Sequence, residues 1–196
     1  MLGGKFSSSC QSRRPWLASP EPEGYVHAAK STQIPSVALS SNIHAKWPMN
    51  TLATQFHELS GSEKRKVHLS LGEHALSKWR EFCATHPRMD YVETVCGTHQ
   101  TVDTQLPADA FQSAREGRDI KNVAKRYQEP IVAIQDDDLI FPDPTTFAYY
   151  ALYNLFNKYA KHKSVDDWLI VNQALSSEQN ESQWQPLLDD AIKKAI

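Results

Sequence analysis

From Met49 onward, apolar residues recur every three or four positions, which is the spacing of one face of an α-helix. Glycine, proline and capping residues interrupt this pattern and divide it into about seven to nine segments. The pattern therefore predicts an all-α fold, a single compact multi-helix domain over residues 49–196. A chain of this length buries roughly 68–70% of its unfolded surface, so a core can form without a metal or a disulfide.

The segment 143–162 is the predicted centre of the domain. Asp143 followed by Pro144 is a helix-start signal, because proline fits the first helical turn. Apolar and aromatic residues then occupy nearly every face, so neighbours must cover this helix on all sides. Its aromatic residues are Phe147, Tyr149, Tyr150, Tyr153, Phe156 and Tyr159. The sequence thus predicts an aromatic-rich central helix, with Phe156 in the core.

Two further helices have predicted caps. Ser62 is placed to cap the second helix, and Ser164 with Asp167 matches the spacing of a capping box, with Asp in place of Glu. The helix that follows Ser164 carries Trp168, which we expect to be a core residue.

Residues 91–106 fit two structures. Their apolar spacing favours a helix, and their many β-branched residues favour a strand. We interpret the segment as a helix, which places His99 and Asp103 on one helical face.

Residues 1–48 differ from the rest of the chain. They contain nine Ser, five Pro and three Gly, and their apolar residues keep no period. Such a segment does not bury enough surface to offset its ordering entropy, so we predict a disordered tail. Its first twenty residues are Ser-rich and basic, which also fits an organelle transit peptide, and Met49 is a plausible natural start.

Charge narrows the function classes. The tail carries five basic and two acidic residues, a formal charge of +3, and residues 49–196 carry 16 basic and 21 acidic residues, a charge of −5. This balance argues against nucleic acid as a partner. No run of about 18 apolar residues predicts a membrane span. Three cysteines are too few for a disulfide scaffold, so we expect a cytoplasmic protein, or an organellar one if residues 1–20 are a transit peptide.

The acidic residues of the domain cluster. The clustered aspartates are Asp136, Asp137, Asp138, Asp143, Asp166 and Asp167. Aspartates that follow a helix oppose its dipole, so the triple at 136–138 is not explained by helix stability. Our first interpretation is a solvated loop, the second is contact with a basic partner, and the third is a divalent cation.

Two Cys-x-x-His pairs suggest a metal. Cys83 with His86 and Cys96 with His99 supply two thiolates and two imidazoles, the ligand set of a tetrahedral zinc site. The alternative is that Cys83 serves as a small apolar residue on a helix face. We favour the second interpretation and expect no cofactor, with zinc as the alternative.

Motifs of the common nucleotide-dependent enzymes, nucleophilic hydrolases and zinc proteases are absent. Only four glycines follow Met49, and no two of them are close enough to build a phosphate cradle. The sequence therefore predicts a non-catalytic protein-binding module, most concretely an immunity- or antitoxin-like inhibitor that masks a basic partner. The alternative is a metal-dependent, hydrolase-like helical enzyme that uses His99, Asp103 and Asp136–Asp138.

Overall fold

The computed structural model describes residues 49–93 and 97–196. Within these ranges the chain forms eight α-helices, one 3₁₀ turn and one two-stranded sheet. The helices are α1 (Met49–Glu58), α2 (Gly61–Thr85), α3 (Leu106–Glu116), α4 (Val123–Arg126), α5 (Gln128–Gln135), α6 (Asp143–Tyr159), α7 (Asp167–Ser176) and α8 (Trp184–Ala195). The strands are β1 (Asp90–Glu93) and β2 (Thr98–Thr101), and the 3₁₀ turn is Glu181–Gln183. The predicted all-α class is confirmed, and the predicted tail, residues 1–48, lies outside the described residues.

Helix α6 lies at the centre of the domain, as predicted. It packs against α2, α3 and α7, and both Leu152 and Leu155 are fully buried. Phe156, at 1% exposure, is a core residue. A Cβ atom at Gly72 would lie 2.7 Å from Cδ2 of Leu155, so the glycine allows α2 and α6 to approach closely.

The helix predicted over residues 91–106 is wrong, because its first half is a β-hairpin. Tyr91 lies opposite Gln100 and Val92 lies opposite His99 in an antiparallel register. Gly97 has φ +63°, a conformation that glycine adopts without strain, and its amide donates to the carbonyl of Glu93 over 2.7 Å. The β-branched residues therefore decide the local structure, and helix resumes only at Leu106 in α3.

Both predicted caps are displaced by two residues. Helix α2 is capped by Ser60, whose hydroxyl accepts from the Glu63 amide over 3.3 Å while Glu63 accepts from the Ser60 amide over 2.8 Å. Helix α7 is capped by Asp166, which accepts from the Leu169 amide over 2.8 Å. Serine and aspartate cap equally well, so composition alone does not select one of several neighbouring candidates.

Trp168 lies at the rim of the core. It is half-buried, and its ring packs 5.6 Å from those of Phe56 and His57 in α1. Helix α1 itself packs against α8. Trp168 therefore packs against the core, as a partly buried residue and not as a fully enclosed one.

None of the helices within the described ranges has both the length and the apolar character needed to cross a bilayer.

Candidate functional site

The six predicted aspartates lie beyond the two opposite ends of α6. Asp136–Asp138 precede the helix and Asp143 is its first residue, whereas Asp166 and Asp167 begin α7 after its other end. The 17 residues of α6 extend over about 25 Å. The structure therefore forms two separate acidic groups and not one surface.

Asp166 and Asp167 have structural partners. Asp166 caps α7, and Oδ1 of Asp167 lies 2.9 Å from the Nζ atom of Lys158 in the last turn of α6. The backbone carbonyl of Asp167 also accepts a hydrogen bond from Nε2 of His68 over 3.0 Å. These two aspartates hold α7 against α2 and α6, which explains them without a partner protein.

The aspartates at 136–138 differ. Asp136 and Asp137 are exposed and form no ion pair with any residue that the structure describes. Asp137 has φ +60°, the left-handed conformation that often follows a helix, and the Asp138 amide donates to the carbonyl of Ala133 over 2.9 Å. Aspartate tolerates this conformation better than most residues, so the loop is closed without glycine and keeps its charge.

Next to this loop lies a cavity of about 280 Å³ between the hairpin and the start of α6. We call it the acidic groove, because Asp90 stands on its hairpin side and Asp138 on its loop side. Its other lining residues are Phe82, His86, Met89, Tyr91, Leu139, Ile140, Phe141 and Pro142. The groove therefore combines an apolar floor with carboxylates at two of its edges.

Ile140 is the most exposed apolar side chain of the acidic groove, at 77% exposure. Across the groove, the ring of His86 stacks on Phe82 with 4.3 Å between centroids. An exposed aliphatic side chain at the edge of a groove can insert into an apolar pocket on a partner protein.

Glu129 and Tyr91 form a hydrogen-bonded pair behind the groove. The Tyr91 hydroxyl donates to Oε2 of Glu129, while Oε1 is buried and accepts no hydrogen bond from the described residues. Burial raises the pKa of the Glu129 carboxyl, the hydrogen bond from Tyr91 opposes that shift, and the nearby charges of Glu93 and Asp138 reinforce it. Acids from β1, α5 and the loop therefore repel one another here, which marks an electronegative region.

A second cavity, of about 290 Å³, adjoins the acidic groove and shares Phe82, His86 and Pro142 with it. The acidic side chains of this second cavity are paired with a lysine. The Nζ atom of Lys78 lies 2.9 Å from Glu178 and 3.5 Å from Glu81. On the hairpin side Asp90 is also paired, since Nε of Arg88 lies 2.7 Å from its Oδ2, so the exposed charge of this region that lacks an ion pair with a described residue lies on the loop, at Asp136 and Asp137.

The proposed zinc ligands are only partly described. Cys83 is half-buried on α2, and burial raises the pKa of its thiol to about 11, so the thiol is neutral near pH 7. Nδ1 of His86 lies within 3.1 Å of the Phe82 carbonyl and 2.9 Å of the Thr85 hydroxyl. His99 is exposed on β2, and Cys96 lies outside the described residues. Among the residues that are described, no three His, Cys, Asp or Glu side chains are grouped to hold a metal.

The suggested pairing of His99 with Asp103 on one helical face is wrong, because His99 lies in a strand. Asp103 instead accepts from Nε of Arg126 over 3.1 Å, and Asp109 accepts from the same guanidinium over 2.7 Å. The structure therefore assigns Asp103 to the ion pairs that hold α4 against the start of α3.

Sequence reasoning missed Asp90, Tyr91, Glu93 and Glu129. Each is a single polar residue within a regular element, and only the tertiary fold brings them beside the 136–138 loop. The one signal in the sequence was the density of β-branched residues around Gly97, which would have predicted the hairpin.

Comparisons of this chain with protein-family models, with curated proteins and with solved structures find no match.

Proposed function

We propose that this chain is a non-catalytic protein-binding module that engages a basic partner through the acidic groove and the 136–138 loop. The observation that supports the proposal is the pair of exposed aspartates Asp136 and Asp137, which form no ion pair with a described residue, beside the exposed Ile140. Opposed charges steer a basic partner toward this side, and Ile140 supplies the apolar anchor. The most concrete form of such a module is an immunity- or antitoxin-like inhibitor that masks the basic surface of its target.

The proposal is tested with a double variant, Asp136→Asn with Asp137→Asn. Both side chains are exposed and unpaired within the described chain, so the fold does not depend on them. The comparison variant is Asp189→Asn with Asp190→Asn, which removes the same charge from α8, where these aspartates pair with Lys193 and Lys194. Proteins captured by the parent from cells that produce it are tested for binding to all three proteins at several salt concentrations.

We expect the captured partner to be basic. Its association with the 136/137 variant should slow by about tenfold at low salt, with a weaker salt dependence, because steering by charge acts mainly on the association rate. The α8 control should associate like the parent. A partner that binds all three proteins at the same rate, or that carries no basic surface, would exclude this function.

A second variant tests the anchor. Ile140→Ser keeps every charge and removes the exposed side chain, so it should speed dissociation and leave the salt dependence unchanged. Equal dissociation rates for parent and variant would remove Ile140 from the interface.

A further inference from the structure

A separate cavity of about 360 Å³ lies between α4–α5 and the C-terminal half of α6. We call it the lysine groove. Tyr127, Ile131 and Tyr153 are among its apolar lining residues, with the rings of Tyr127 and Tyr153 packed 5.0 Å apart, and Lys161 and Lys163 also line it. Its volume falls in the range of about 300–1,000 Å³ that small-molecule sites occupy, and its walls are apolar and aromatic, as such sites usually are.

Asn157 is the central polar residue of this groove. Its side chain is 6% exposed, it lines the groove, and it makes no hydrogen bond with any other described residue. Its amide is not one of the fully enclosed polar groups of the described chain, so it opens onto the groove, where it can donate to or accept from a bound molecule.

Two ammonium groups lie at the end of the groove. His162 has φ +53°, and the Lys163 amide donates to the Asn157 carbonyl over 2.9 Å, which turns the chain after α6 so that Lys161 and Lys163 both line the cavity. Lys163 forms no ion pair within the described chain, and Lys161 lies 4.0 Å from Asp119, at the limit for an ion pair.

Lys158, one turn earlier, shows the contrast. It is bound to the carboxylate of Asp167 and to the carbonyl of Val165 over 2.9 and 2.7 Å. Lys163 is therefore available to an anion, and Lys161 is held less closely than Lys158.

We propose that the lysine groove binds a small organic acid, with its carboxylate near Lys161 and Lys163, its polar edge at Asn157 and its apolar body against Ile131, Val132 and Tyr153. A carboxylate fits better than a phosphate. The groove end lies at the C-terminus of α6, whose carbonyls carry partial negative charge and oppose a dianion more than a monoanion. This inference does not depend on the proposed protein-binding function, because it uses a different surface.

The test uses 4-phenylbutyrate as the probe, with its uncharged amide and phenyl phosphate for comparison. Binding is followed by backbone amide NMR shifts of the full chain. We expect 4-phenylbutyrate to shift the amides of Tyr153 and Asn157, and to bind at least tenfold more tightly than the amide analogue. No shift at these residues, or equal binding of the amide, would overturn the proposal. Tighter binding of phenyl phosphate would overturn the assignment to a carboxylate.

Lys163→Gln tests the charge. Lys163 is exposed, so the variant should fold, and we expect its affinity for 4-phenylbutyrate to fall by about tenfold. The matched control is Lys125→Gln, an exposed lysine of α4 that does not line the groove, and it should bind like the parent. Equal affinities for the two variants would contradict a role for Lys163.

Asn157→Leu separates binding from folding. A leucine of similar size fills the same space and removes the amide, so the variant should melt near the temperature of the parent and yet lose most of its affinity for 4-phenylbutyrate. A purely structural asparagine would give the opposite result, with a lower melting temperature and unchanged affinity, and that result would exclude Asn157 from the site.

Discussion

His68 is buried in the core between α2, α6 and α7. Its Nε2 lies 3.0 Å from the carbonyl of Asp167, which only accepts, so this nitrogen carries the proton and Nδ1 accepts from the Tyr159 hydroxyl over 2.7 Å. Burial lowers the pKa of His68 to about 4, and the neighbouring Asp167 only partly opposes that shift. The neutral imidazole is therefore the form that the fold requires.

The stability of the domain should fall in mild acid because of His68. Its pKa in the unfolded chain is about 6.5, so the contribution is complete above that pH and is lost as the pH falls toward 4. We expect this residue alone to cost about 1 kcal/mol of unfolding free energy at pH 5.5 and roughly 2–3 kcal/mol at pH 4.5, relative to pH 7.5.

Urea unfolding of the parent and of His68→Gln at these three pH values measures the effect. The variant should be less stable at pH 7.5, where it loses a fitted ring, but its stability should vary less with pH. Burial and the charge of Lys78 also lower the pKa of His74. Because His74 is present in both proteins, it does not contribute to the difference between their pH profiles. Parallel pH profiles for the two proteins would show that His68 is not the buried titrating group.

At the scale of single elements, Gly72 controls how α2 meets α6. A Cβ atom there would lie 2.7 Å from Leu155 and 3.2 Å from the ring of Phe111. Alanine gains about 1 kcal/mol of helix propensity over glycine, but overpacking a core costs about 1–3 kcal/mol. Leu155 is fully buried, so its side chain must shift against its neighbours to admit the new Cβ, and we expect the packing term to dominate.

Gly72→Ala is therefore expected to lower the unfolding free energy by about 1 kcal/mol. Gly61→Ala is the matched control, because no atom lies within 4 Å of the new Cβ at the first residue of α2. That variant should be as stable as the parent or slightly more stable. Thermal or urea unfolding distinguishes the two, and a Gly72→Ala protein more stable than its parent would mean that the helices separate easily.

The elements that the sequence predicted well are those whose pattern has one interpretation. Helix α6 begins at a proline signal and is apolar on nearly every face, so both its position and its burial could be inferred. The hairpin had two interpretations, and the helical period at Val92, His99 and Val102 competed with β-branched propensity. The fold resolved that conflict, because Tyr91 gains a buried partner in Glu129 only when the segment is extended.

The candidate site was predictable to a lesser degree. Three consecutive aspartates can be recognised from the sequence alone, so the 136–138 loop could be proposed as part of the site. Single acids such as Glu93 and Glu129 carry no local signal, and their mutual repulsion exists only after β1 and α5 come together. The same limit applies to Asp166 and Asp167. The sequence alone could not show that they serve as a helix cap and an ion-pair partner and not as a binding surface.

At the scale of the whole molecule, the sequence changes character at Met49. Residues 49–196 carry the predicted helical pattern and 16 of the 21 basic residues, and residues 1–48 lack any apolar period. We expect a chain that begins at Met49 to melt at the same temperature as the full chain. A decrease of more than about 5 °C, which corresponds to roughly 1 kcal/mol for a domain of this size, would show that residues 1–48 stabilise the domain.

Helix α2 is completed by residues far along the chain. Its Lys66 donates to the carbonyl of Ala195 in α8 over 2.6 Å, a separation of 129 residues. A ribosome that adds about 5–20 residues per second needs roughly 6–26 s to synthesise that interval. During this time the apolar face of α2 that will later pack against α7 and α8 is exposed to solvent. The nascent chain should therefore be most dependent on chaperones, and most prone to aggregate, between the synthesis of α2 and the release of α8.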